Sequence, residues 1–107
     1  MDIIAIKPLS VNHARVGRTY PSAELKAYHE ILGYLLPSKK IPNGKLKVRL
    51  IFALSSKAAD LDNNCKIFLD SLAAKYGFND KQVYRIEMEK VDVKKGDEYI
   101  GFEITPI

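Results

Sequence analysis

The stretch DLDNNCK, residues 60–66, sets two carboxylates two positions apart, follows them with two amides and adds a lysine four positions after the second acid. The surrounding pattern predicts that Asp60 closes a loop and that Asp62 stands at the start of a helix. Lys66 then projects from the same helical face as Asp62, because residues four apart are neighbours on a helix. The apolar stripe Leu61, Cys65, Leu69, Leu72 takes a different face, which frees the acids and the lysine to face a common cleft. Asp80 lies on the connection after this helix. Four helical turns span about 22 Å, so Asp80 reaches Asp62 only if the chain folds back or a second copy in a dimer supplies it.

Clustered carboxylates are hard oxygen ligands that suit Mg²⁺ or Mn²⁺. Such an ion activates water and stabilises charge on a phosphate under attack, and a neighbouring lysine contacts the scissile phosphate or the developing charge. Phosphodiester hydrolysis uses this mixture of acids and one base. The spacing also admits plainer roles. Aspartate caps helix starts and favours the positive end of the helix dipole. Asp62, Lys66 and Asp70, at steps of four, can form an exposed ion-pair ladder, and Asp80 can be a turn residue.

The elements that must position these groups read as follows. Residues 2–7, DIIAIK, predict a first strand. Pro8 and the polar stretch to Ser22 predict a long loop over 10–22 that carries Arg15 and Arg18. Leu25, Tyr28, Leu32 and Leu35 or Leu36 recur at helical spacing over 23–36, and Pro37 ends that helix. Residues 46–54 alternate as a strand, LKVRLIFAL, with one wholly apolar face. The second helix covers 61–76, with Gly77 fitting its end. A strand over 83–93 follows, with a phase shift near Lys90 that suggests a bulge, then a KKGD turn at 94–97 and a return strand over 99–105. The order β-α-β-α-β-β predicts an α/β or α+β fold: a small mixed sheet with two main helices in one domain, residues 1–107.

Composition excludes more than it selects. The longest apolar runs fall far short of a membrane span, and MDIIAIKPL does not read as a signal peptide. One cysteine, Cys65, leaves no disulfide within the chain and no cysteine-based zinc site, and a reducing, cytoplasmic setting is the simplest. The formal charge of +4 is mildly basic and compatible with a nucleic-acid partner.

Residues 60–83, DLDNNCKIFLDSLAAKYGFNDKQV, resemble the central motif of the RusA-type Holliday junction resolvases. The resemblance is carried by Asp60, Leu61, Asp62, Asn63, Lys66, Asp70, Leu72, Gly77, Asp80, Gln82 and Val83. KPLSVNHAR and GRTYPSAELKAY resemble the family's stretches before the first helix, and EMEKVDVKKGDEYIGFEIT resembles its closing hairpin. The resemblance implies a RusA-like fold and a dimeric, Mg²⁺-dependent endodeoxyribonuclease of a bacterium or phage, with Mn²⁺ able to substitute. Such an enzyme places paired symmetric nicks in four-way DNA junctions, leaves 5′-phosphate and 3′-hydroxyl ends, and uses no small-molecule cofactor.

By the same resemblance, Asp60, Asp62 and Asp80 are the metal-binding carboxylates and Lys66 is the catalytic lysine. Junction contacts are expected from Lys7, Arg15, Arg18, Lys57, Lys81 and Arg85. Phe78, between Gly77 and Asn79, is either a core residue or a stacking wedge at an opened junction. Two departures stand out. Asn79-Asp80 replaces a pair of acids common in the family, and SSKAA before Asp60 offers only Lys57 where arginines are usual. Two other readings remain: a dimeric branched-DNA binder that does not cut, and a general metal-dependent nuclease acting on other branched DNA or on RNA.

Overall fold

A computed structural model describes residues 1–9, 15–16, 20–21, 23–58 and 61–107, with backbone alone at 15, 16, 20, 21 and 63. The organising strand is β4, Leu46–Leu54. Its alternation puts Leu46, Val48, Leu50 and Phe52 on one face, all four fully buried. The opposite face carries Lys47, Arg49 and Ile51. This is the period-two pattern of a strand covered on one side.

Around β4 the sheet is ordered β1-β6-β4-β5, where β1 is Asp2–Ile4, β5 is Val83–Asp92 and β6 is Tyr99–Pro106. β6 pairs antiparallel with both β1 and β4, and β5 runs parallel to β4. A parallel neighbour needs a crossover, and helix α2, Leu61–Tyr76, supplies it. Helix α1, Ala23–Leu35, packs beside α2. A two-stranded ribbon of β2, Arg15–Val16, and β3, Tyr20–Pro21, stands apart from the sheet. The expected mixed α+β fold and its β-α-β-α-β-β order are therefore present, with this ribbon added. No helix among the described residues is long and apolar enough to cross a membrane.

The core lies between the sheet and the two helices. Phe68 of α2 sits edge-on to Phe52 and Phe102, with ring centroids 6.1 and 5.9 Å away, a geometry that aligns the positive ring edge with the negative face. The helices are also tied by polar contacts at their rims. The Lys75 ammonium donates to the Gly33 carbonyl at 2.9 Å and the Tyr76 hydroxyl to the Pro37 carbonyl at 2.6 Å. α2 ends as its sequence requires. Gly77 takes a positive φ of 72° and donates its N–H to the Ala73 carbonyl, a conformation that costs glycine nothing.

Two boundaries differ from expectation. The first strand stops at Ile4 rather than Lys7, because the Ile6 N–H turns back to the Ile4 carbonyl at 2.9 Å. The bulge expected near Lys90 is absent there: the register against β4 runs unbroken from Lys47–Arg85 to Leu54–Asp92. The irregularity falls at the start of β5, between the Leu46–Val83 and Lys47–Arg85 pairs, so Tyr84 is the extra residue. The phase shift at Lys90 has another cause. Lys90 occupies the row of Ile86 and Met88, and its ammonium leaves that row to donate to the Lys57 carbonyl at 2.6 Å.

Candidate active site

The crossover fixes where the chemically capable residues fall. α2 leaves the carboxyl end of β4, runs back along the sheet and delivers the chain to the amino end of β5. Its first turn holds Asp62 and its second Lys66, both exposed. Among the described residues no ion pair joins Asp62, Lys66 and Asp70, so the ladder that their spacing permits is not formed there. Asp62 instead acts on the buried neighbour one turn along. The Cys65 thiol is pushed up, first by burial and then by the Asp62 charge.

The same end of the sheet gathers cationic groups. Lys7 follows β1, which is parallel to β4, and helps hold the Glu98 carboxyl below its usual range. The larger cause there is the Ser55 hydroxyl, which donates to Glu98 at 2.6 Å. Lys57 is exposed in the loop before α2, and the bond from Lys90 to its carbonyl ties that loop to β5. Lys90 was not among the residues expected to matter. The sequence signal for it was the lysine that interrupts an otherwise apolar row. The end of the sheet from which α2 leaves thus carries exposed lysines, Lys7 and Lys57, suited to a polyanion.

Asp80 lies elsewhere. It opens a single 3-10 turn, Asp80–Gln82, at the amino end of β5. The turn is fixed by a reciprocal cap: the Lys81 N–H donates to the Asn79 side-chain oxygen at 2.9 Å, and the Asn79 N–H to Gln82 Oε1 at 3.0 Å. The Gln82 amide nitrogen also donates to the Gly44 carbonyl at 3.0 Å. Asn79 is therefore engaged as a cap, and Asp80 and Lys81 are left exposed. Within one chain α2 separates Asp62 from Asp80 by about 20 Å of helix rise. Among the described residues no three acidic, histidine or cysteine side chains come together as a metal set.

The remaining expected residues divide as follows. Arg85 is exposed on the uncovered face of the sheet, with Nε 3.7 Å from Glu87, which also meets Lys47 at 3.4 Å. Phe78 is only 9% exposed and belongs to the core, so presenting it to DNA would take it out of its packing. Arg15 is described by its backbone alone, in β2. Asp60 and Arg18 lie outside the described residues.

Fold and site together define a small α+β domain with an acid and a lysine on the opening turns of a crossover helix, amid lysines. The family model described as Endodeoxyribonuclease RusA matches residues 7–104. The chain therefore belongs to the RusA endodeoxyribonuclease family, as its motif led one to expect, and membership implies Holliday junction endodeoxyribonuclease activity. No curated protein sequence gives a significant match.

Proposed function

We propose that this protein is a Mg²⁺-dependent, structure-selective nuclease, a homodimer that resolves four-way DNA junctions by paired symmetric nicks. The observation that carries the reading is the exposed Asp62–Lys66 pair at the sheet end where Lys7 and Lys57 also lie, in a chain of this family. Asp60, Asp62 and Asp80 would hold the ion, with Asp80 supplied by the other copy of the dimer, since about 20 Å of helix rise separates it from Asp62 within one chain. Their oxygen chemistry fits Mg²⁺, with Mn²⁺ as a substitute. The bound ion supplies water activation and charge neutralisation at the phosphate.

The protein's own groups do the rest. Lys66 holds the scissile phosphate, and Lys7, Arg15, Arg18, Lys57, Lys81 and Arg85 hold the arms of the junction through their phosphates. Such contacts release counterions, so binding weakens as salt rises. Two-fold symmetry in a dimer matches the near two-fold symmetry of the junction.

The test uses a labelled synthetic four-way junction with Mg²⁺, beside a linear duplex and the Asp62→Asn variant. Paired nicks on the junction alone, absent from the variant, are expected. Tight junction binding without nicks in Mg²⁺ or Mn²⁺ would move the function to a branched-DNA binder, and equal cutting of linear duplex or RNA to a general nuclease.

A further inference from the structure

Residues 55–60 connect β4 to α2, and Asp62 follows in the first turn of the helix. The described ties of this connection run to β5 and to the hairpin that joins β5 to β6. The Val93 N–H donates to the Leu54 carbonyl at 3.0 Å. The Ser55 hydroxyl donates to the Glu98 carboxyl at 2.6 Å, and Glu98 is itself braced by the Gly96 N–H at 2.9 Å. The Lys90 ammonium donates to the Lys57 carbonyl at 2.6 Å. Of these bonds the one from Lys90 reaches farthest toward the acids, because Lys57 precedes both Asp60 and Asp62 in the connecting stretch.

The placement of Lys90 suits this contact. On β5 it stands in register with fully buried Phe52, in one row with Ile86 and Met88. A lysine there lays its apolar stem along the sheet and carries its charge to the rim. A hydrogen bond from a charged donor is stronger than one between neutral groups. The acceptor is main chain, so the bond fixes the path of the backbone and does not pair two charges. From Asn64 onward α2 is held by its own buried side chains, Asn64, Cys65, Ile67 and Phe68. Residues 55–58 are all exposed, and their position depends on bonds of this kind.

We propose that Lys90 is a positioning residue of the metal site: by holding the Lys57 carbonyl it sets the path along which the chain delivers Asp60 and Asp62 to the ion. The assignment rests on the metal-dependent reading above. Two roles for this ammonium predict opposite signs. A cation acting only through its charge repels Mg²⁺, so its removal would tighten ion binding. A cation that holds the loop keeps the acids in place before the ion arrives. Without it only a fraction of the chains are ready to bind, and the apparent affinity falls by that fraction.

Lys90→Met keeps the stem and removes the ammonium, and Lys90→Arg keeps a charged donor. In metal-free protein, amide hydrogen exchange at residues 55–58 should quicken about tenfold in Lys90→Met, with β4 and β6 unchanged. Mg²⁺ titrated calorimetrically into the protein alone should bind about tenfold more weakly. Lys90→Arg should recover most of both losses. Single-turnover nicking of a junction should need correspondingly more Mg²⁺ and approach the wild-type rate once the ion saturates. If Lys90→Met does not fold, Lys90→Gln, shorter and uncharged, carries the same expectation. Unchanged exchange at residues 55–58, or Mg²⁺ binding as tight as wild type or tighter, would overturn the role of Lys90 and leave the metal-dependent reading standing. A wild-type chain that binds neither Mg²⁺ nor Mn²⁺ would overturn both together.

Discussion

The two ends of the central sheet carry the same kinds of residue, held in different ways. At the amino end of β5, Asp80 sits on a turn closed by a reciprocal cap, with the Lys81 N–H donating to the Asn79 side chain and the Asn79 N–H to the Gln82 side chain, and Gln82 also donates to the Gly44 carbonyl. At the carboxyl end of β4, Asp62 and Lys66 stand on the opening turns of a sixteen-residue helix, and the loop that precedes it is tied by side-chain bonds to other elements, from Lys90 to the Lys57 carbonyl and from Ser55 to Glu98. A cap that uses its own neighbours fixes an acid locally. An acid on a helix is instead fixed by whatever packs the helix. One chain thus presents exposed acids at opposite poles, each positioned by independent means.

The largest effects come from the acids themselves. Asp62→Asn and Asp80→Asn should each lower junction nicking by roughly 10²–10³-fold, the scale of losing one group that stabilises transition-state charge. The comparison sharpens when the two variants are mixed and re-equilibrated. If each site draws Asp62 from one copy and Asp80 from the other, half of the mixed dimers' sites are intact and single-strand nicking returns. If both acids of a site come from the same chain, the mixture stays as inactive as its components. Single-turnover nicking of a labelled junction distinguishes the two.

Next in size is the core that spans both ends. Phe68 touches Phe52 and Phe102 and is fully buried. Phe68→Ala should cost about 3–5 kcal/mol, read as a drop in urea midpoint. Both poles should fail together, since α2 connects them. A variant that kept Asp80-dependent function while losing Asp62-dependent function would show the poles to be less coupled than the packing implies.

The sequence made the poles unequally legible. Apolar periodicity located α1, β4 and α2 closely, because each buries one continuous face against the others. The motif placed Asp62 and Lys66 on one helical face, and so they are. It could not place Asp80 relative to Asp62, since that relation depends on the crossover and not on local spacing. β5 was legible as a strand but not as an edge. Tyr84, Ile86 and Met88 alternate with Arg85, Glu87 and Glu89 in sequence, and only the structure shows that this apolar row lies on an edge strand and is exposed. Lys90 broke the pattern visibly, yet a bulge and a tertiary lysine contact leave the same mark in sequence. Phe78 shows the opposite limit: its sequence neighbours left core and wedge both open, and it is buried in the core of the folded chain.

A smaller effect separates the poles by their caps. Asn79→Ala removes the acceptor for the Lys81 N–H and opens the reciprocal cap around Asp80. Loss of an N-cap costs about 1 kcal/mol, so the melting temperature should fall by a few degrees. Nicking should fall by more than this stability loss explains, because the cap orients Asp80. Asn79→Asp, which keeps the acceptor, should restore the melting temperature. A wild-type rate in Asn79→Ala would show that Asp80 is either dispensable or held by something other than its turn.

The smallest effect reports on the Asp62 pole through its buried neighbour. Burial and then the Asp62 charge raise the Cys65 thiol above its ordinary value of 9.0. The folded protein therefore holds that proton after the unfolded chain has released it. Stability from this source is complete below the ordinary thiol value and is lost as pH rises through the raised one. Melting temperatures measured without divalent metal should decline above about pH 9. Part of the decline belongs to Asp62, so Asp62→Asn should make it shallower while Asp80→Asn leaves it unchanged. Measurements kept below pH 10, the ordinary tyrosine value, limit the contribution of Tyr28, whose hydroxyl burial also raises. Equal slopes in the two variants would mean that Asp62 is screened from Cys65 in solution, and that the two poles differ less electrostatically than their geometry suggests.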